Sequence, residues 1–130
     1  MQVGHKVHEI YPIIITIMSG VVSYEDILSN CAFVDNYLTT NRLSKVYWIQ
    51  DAVSITFSRN TNIQIAEVTA NGLPGSGGDP RVVPLVIMPH ERFAPVEHEL
   101  KNRHTPLHYP VFDTMHDAYT FALFLIHSEK

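Results

Sequence analysis

The run Ile13-Ile14-Ile15-Thr16-Ile17-Met18 constrains the fold more than any other stretch of the chain. β-Branched side chains favour an extended backbone, and alternate residues of a strand point to opposite faces. Here both sets are largely apolar, so the strand must be covered on both sides. That condition belongs to the inner strands of an α/β sheet rather than to a half-solvated antiparallel one. Residues 46–51, Val-Tyr-Trp-Ile-Gln-Asp, read as a second such strand ending in a carboxylate, and residues 82–88 as a third. Pro84 is awkward for a central ladder and suggests a bulge or irregularity there.

Helix signals separate these runs. Ser23, with Glu25 and Asp26 in the following turn, caps a helix over 24–40, and Ile27, Cys31, Val34 and Leu38 make one stripe along it. Phe33 falls off that stripe, and Asn41 supplies a stop. Asn60 or Thr61 can cap a second helix to about Ala70, with Ile63, Ala66 and Ala70 on one side and Asn71-Gly72 as a left-handed terminator. A weaker, largely surface helix within 91–103 is expected to begin at Pro95. Thr114, with Asp117 three positions on, caps a closing helix whose Met115, Ala118, Tyr119, Ala122, Leu123, Leu125 and Ile126 mark a broad apolar face.

Residues 2–9 suit a solvent-facing edge strand, and 109–113 a short last strand. Residues 52–58 alternate like a strand, but their place between a strand and a helix suits a loop, and they are taken as mostly loop. The stretch 73–79, Leu-Pro-Gly-Ser-Gly-Gly-Asp, reads as a flexible connection. Strands alternating with helices, joined by right-handed crossovers, give a mainly parallel sheet. The expected class is α/β, a single domain over residues 1–130, with a mixed sheet of four to five strands and about four helices.

Composition matters for what it excludes. A net charge of −4 with nine Lys and Arg leaves no electrostatic footprint for nucleic acid or an anionic membrane. A single cysteine, Cys31, rules out a disulfide framework within the chain and fits a reducing cytoplasm. No apolar run approaches the roughly 18 residues of a membrane span, and no signal-peptide pattern opens the chain. A cytoplasmic protein is expected.

The order of these pieces carries a resemblance. An N-terminal strand pair, residues 13–20 followed by a capped helix, a strand ending in Asp51, Asp79-Pro80-Arg81-Val82 ahead of a strand, and the closing Val-Phe-Asp-Thr-Met-His-Asp-Ala-Tyr-Thr-Phe-Ala of residues 111–122 together resemble the STAS or SpoIIAA-like domains of sulfate transporters and anti-sigma-factor antagonists. The likeness covers nearly the whole chain. It implies a helix-packed sheet and a non-enzymatic role in protein-protein regulation. In the antagonists, the segment after the central strand carries Asp-Ser-Ser/Thr-Gly, whose serine is phosphorylated. Here Asp51-Ala52-Val53-Ser54 keeps the acid but has neither the adjacent serine nor the glycine.

Ligands of open α/β sheets meet the carboxyl ends of central strands, which makes Asp51, Ser54, Thr56, Ser58 and Asn60 the partner-binding or switch candidates. A phosphate on one of those hydroxyls would face the N–H groups of a helix start. The plainer reading is that they satisfy local backbone and cap the helix. Among the eight histidines, His90, His98, His104 and His108 with Glu91, Glu97 and Glu99 are of metal-ligand type. Pro106 between His104 and His108 spoils a helical pair, and His-Glu-x-x-His is absent, so surface histidines are expected and neither metal nor cofactor. Protonating all eight takes the formal charge from −4 to +4, so association or solubility should vary with pH around ~6.5.

The glycines of 72–78 precede a strand rather than a helix and lack Gly-Lys-Ser/Thr, which excludes a phosphate loop. Tyr119, Phe121 and Phe124 give the closing helix more apolar surface than one sheet contact needs, making it a candidate homodimer or partner contact unless neighbouring elements cover it. The leading functional expectation is a non-enzymatic regulatory or protein-interaction module that docks a protein partner through 51–62. A small apolar-ligand or lipid-binding protein is the alternative, recognisable by an internal cavity lined by Ile, Phe and Trp48. A metal-dependent hydrolase is the outsider.

Overall fold

The structure, a computed structural model, describes residues 1–105 and 109–129. In chain order it comprises β1 (Gln2–Val7), β2 (Ile13–Val21), α1 (Tyr24–Thr40), β3 (Val46–Thr56), α2 (Arg59–Ala70), β4 (Val82–Ile87), α3 (His90–Asn102), β5 (Val111–Phe112) and α4 (Met115–Ser128). The five strands form one sheet in the order β1-β2-β3-β4-β5. β1 runs antiparallel to β2 as an edge strand, and the remaining pairings are parallel. The α/β class and the mixed, mainly parallel sheet are those the sequence implies.

Side-chain parity distributes the core. Ile14, Met18, Val46, Trp48, Ala52, Val82, Val86 and Met88 face α1, α2 and α3, where they meet Ile27, Val34, Ala66, Phe93 and Val96. Ile13, Tyr47, Ile49, Leu85 and Ile87 face the other way and meet Ala118, Ala122 and Ile126 of α4. One face thus carries three helices and the other a single one. Ile17, on the face of α4, is left 55% exposed. Tyr47 ends its course in a hydrogen bond to Glu129 Oε2 of 2.6 Å, and burial with that acidic partner pushes its phenol pKa up.

The caps of α1 and α4 are local, and they form as read. Ser23 Oγ accepts from the Asp26 N–H at 3.1 Å while Asp26 accepts from the Ser23 N–H at 2.9 Å, and Thr114 Oγ1 accepts from the Asp117 N–H at 3.2 Å. Three other expectations are corrected. Ser58, not Asn60 or Thr61, caps α2, accepting from the Thr61 N–H at 3.0 Å, and the buried side of that helix is Thr61, Ala66, Val68 and Thr69, with Ala70 exposed. α3 begins at His90 and holds Pro95 inside it. The proline removes one intrahelical donor, but Phe93, Val96 and Leu100 are buried on both sides of it, and their packing outweighs the single lost bond. Pro84 sits in register opposite Trp48 without a bulge. The N–H groups of Val86 and Met88 bond to Pro110 and Phe112, so even-numbered donors of β4 point away from β3, and at Pro84 that side precedes β5.

The connection from α2 to β4 is also not the loose segment its glycines suggest. Gly75, Ser76, Gly77 and Asp79 are buried. A Cβ on Gly75, whose φ is +84°, would lie 1.9 Å from the Cys31 carbonyl oxygen, and one on Gly78 would lie 1.8 Å from that of Thr69. The Asp79 carboxylate accepts from the Gly75 N–H at 2.8 Å and from Arg81, whose guanidinium also reaches Asp35 on α1 at 2.8 Å. Burial pushes the Asp79 carboxyl up, but the Arg81 guanidinium and the two backbone donors win and hold it at about 2.

Candidate functional site

β3 is eleven residues long, but its last partner in β4 is Ile87, opposite Asp51. Beyond that point residues 52–56 pair only with β2, through Ser19–Ser54, Gly20–Ile55 and Val21–Thr56. The period-2 pattern here therefore marks a true strand, which corrects the loop reading of 52–58. Between Ile17–Asp51 and Ser19–Ser54 the pairing advances two residues on β2 and three on β3, so β3 carries a bulge at 52–53. The bulge resets which side chains point inward. Ala52 and Ile55 are buried, while Val53, Ser54 and Thr56 are exposed.

Arg92 closes the side of this projection that β4 does not reach. Its guanidinium donates to the Val53 carbonyl at 2.7 Å and to the Ile55 carbonyl, taking the place of strand donors. On the α4 side of the projection Ile17 is 55% and Val21 68% exposed, with Ser54 and Thr56 exposed on the neighbouring strand, and Val53 in the bulge is 46% exposed.

The five sequence candidates divide accordingly. Ser54 and Thr56 stand exposed on the projection. Asp51 is half-buried and accepts from the Val53 N–H at 3.3 Å, which serves the bulge, and Ser58 caps α2 with its Oγ also 2.8 Å from Thr61 Oγ1. Asn60 lies exposed in the first turn of α2. Asp51 and Ser58 thus both bond to nearby backbone N–H groups.

The aromatic candidates on α4 do not form one patch. Tyr119 OH is 2.8 Å from His8 Nε2 near the β1–β2 turn, and Phe121 packs against Phe112 with ring centroids 5.3 Å apart. Phe124 is 65% exposed. Of the histidine group, His90 Nε2 lies 3.2 Å from Glu97 Oε1, and His108 falls outside the described residues. Among the described residues no three His, Cys, Asp or Glu converge as a ligand set, and no helix is long and apolar enough to cross a membrane.

Between the sheet and α1 to α3 lies a cavity of about 70 Å³, walled by Trp48, Ile27, Ile55, Phe57, Phe93 and Tyr109. Its polar members are the part sequence reasoning missed. Asn30 Nδ2 donates to Met18 Sδ at 3.4 Å, and Tyr109 OH lies 2.7 Å from Thr69 Oγ1. Asn30 was legible in principle, since it falls three residues after Ile27 on the inward stripe of α1. Cys31 also borders the cavity, but burial pushes its thiol up to about 11, so it is a protonated, apolar wall rather than a nucleophile.

No family model matches the chain, and no curated protein matches it. It is similar to a solved structure, an uncharacterized protein of the DUF3478 family with a SpoIIAA-like fold from Shewanella loihica PV-4. The two are 12% identical, the match covers 92% of this chain and 91% of that one, and the TM-score is 0.55. The fold of this chain is SpoIIAA-like.

Proposed function

We propose that the chain is a non-enzymatic regulatory module of the cytoplasm that docks a protein partner on the free end of β2 and β3. One observation carries this reading: Ile17 and Val21 are exposed on one face of the projection with Ser54 and Thr56 beside them, and Val53 is exposed at the bulge. Apolar side chains ringed by hydroxyls supply the dry centre and polar rim of a contact surface. Asp51, in register beside Ile17, fixes the bulge, and Ser58 fixes the start of α2. The Asp-Ser-Ser/Thr-Gly pattern being absent, phosphate control is no part of the proposal.

The test compares proteins retained by immobilised wild type, the double variant Ile17→Glu/Val21→Glu, Thr56→Asp, and Phe124→Glu as the control on α4. A partner docked on the projection is lost at least about tenfold from the double variant, weakened by Thr56→Asp, and kept by the control. Equal retention by all four overturns the reading.

The cavity favours a second reading, a small apolar ligand held against Trp48. Its ~70 Å³ is about half of the ~150 Å³ that accommodates benzene in an engineered protein, and well short of the ~300 Å³ at which ordinary ligand pockets begin. A lipid would require the walls to part. Saturable quenching of Trp48 emission by a benzene-sized probe supports this reading, and unchanged emission at millimolar probe removes it.

A further inference from the structure

A hydrogen-bonded chain runs from the outer edge strand to the cavity wall. His5 Nδ1 on β1 lies 2.9 Å from Thr16 Oγ1 on β2, and the same oxygen accepts from Trp48 Nε1 on β3 at 2.8 Å. Thr16 is fully buried, and Trp48 lines the cavity. The His5 ring lies flat on Phe33 of α1, with centroids 3.9 Å apart and planes 8° from parallel.

The chemistry of the hydroxyl sets the direction of this chain. Indole N–H can only donate, so it occupies a lone pair of Thr16 Oγ1, and the Thr16 O–H is free to donate onward to an unprotonated Nδ1. Neutral His5, carrying its hydrogen on Nε2, satisfies all three groups. Imidazolium carries a hydrogen on Nδ1, reverses that bond and turns the Thr16 O–H away from its acceptor inside a dry site.

We infer that His5 is a pH-sensitive latch: its neutral form fastens β1 through Thr16 to the indole that walls the cavity, and protonation releases that fastening. Among the described residues no charged group acts on the His5 ring. The ring meets the Thr16 hydroxyl and the Phe33 ring; Tyr37, one turn along α1 from Phe33, has its phenol pKa pushed up by burial, and Lys6 points to the opposite face of the sheet. Burial lowers the His5 pKa from its ordinary value. The stabilisation is accordingly complete above the unfolded histidine value of ~6.5 and is lost as pH falls through the lower, folded-state value.

Trp48 is the single tryptophan, so its emission reports the latch directly. Between pH 8 and 5 the wild type should show a one-proton step in Trp48 emission with its midpoint below 6.5. His5→Gln should lack the step while keeping the far-UV circular dichroism of the wild type. Should His5→Gln not fold, the Trp48 indole N–H and the His5 ring protons of the wild type, followed by NMR, must share one midpoint. A flat wild-type titration, a step that survives in His5→Gln, or two different NMR midpoints overturns the inference.

Discussion

Residues 72–79 and residues 52–58 are both segments that a sequence reader assigns to loops, and they end at opposite extremes. The first is rich in glycine and from Gly75 onward is packed against α1 and Tyr109, where a Cβ on Gly77 would lie 2.0 Å from the tyrosine hydroxyl. The second has no glycine and is strand as far as Thr56, bulged at 52–53, yet Val53, Ser54 and Thr56 lie open to solvent. Glycine here marks backbone pressed against backbone, and strand periodicity marks a ladder that outruns the core. Neither signal reports mobility.

The largest effect that can break this comparison is at Gly75. Gly75→Ala forces a methyl group into the Cys31 carbonyl at a positive φ, and should remove about 3 kcal/mol or more of unfolding free energy by urea titration. A loss under about 1 kcal/mol would show that the connection yields after all. Next comes Asp79, buried and bonded to Arg81 and the Gly75 N–H. Its depressed carboxyl, about 2 in the fold, contributes roughly 2 kcal/mol that is present above ~4 and lost as pH falls from there through about 2. Asp79→Asn should flatten the acid limb of the stability profile in that window.

Effects on the projection should be smaller. Arg92→Met removes the donors from the Val53 and Ile55 carbonyls and should lower stability by about 1 kcal/mol, with faster amide exchange confined to residues 53–56. Ser54→Ala and Thr56→Ala should change stability by no more than about 0.5 kcal/mol. A larger change at either hydroxyl would mean that it holds the fold together, and would sharpen the contrast between the two segments in the opposite sense.

What was legible in the chain was what adjacent residues decide. The Ser23 and Thr114 caps, the stripe of α1 and the doubly apolar run of β2 each follow from spacing within a few positions. The SpoIIAA-like order of elements follows from them. The bulge at 52–53 was not legible, because it depends on β2 continuing to Val21 and on Arg92, some forty residues away in sequence, reaching back. The burial of 75–79 depends likewise on Cys31, Thr69 and Tyr109. Which of Ser58, Asn60 and Thr61 caps α2 was not legible, because all three are cap-type residues and the choice depends on where β3 ends. Of the proposed docking surface, the exposure of Ser54 and Thr56 and the local bonds of Asp51 and Ser58 required the register.

The sequential strand order has a consequence for biosynthesis. Each strand joins the sheet beside the one translated just before it, so pairing can advance with the ribosome and need not wait for a distant segment. Ile13, Tyr47, Ile49, Leu85 and Ile87 nevertheless remain uncovered until α4, which follows all five strands, folds onto them. A nascent chain halted before α4 would thus present a greasy, strand-paired surface, the form in which this molecule is most exposed to aggregation and most in need of a chaperone.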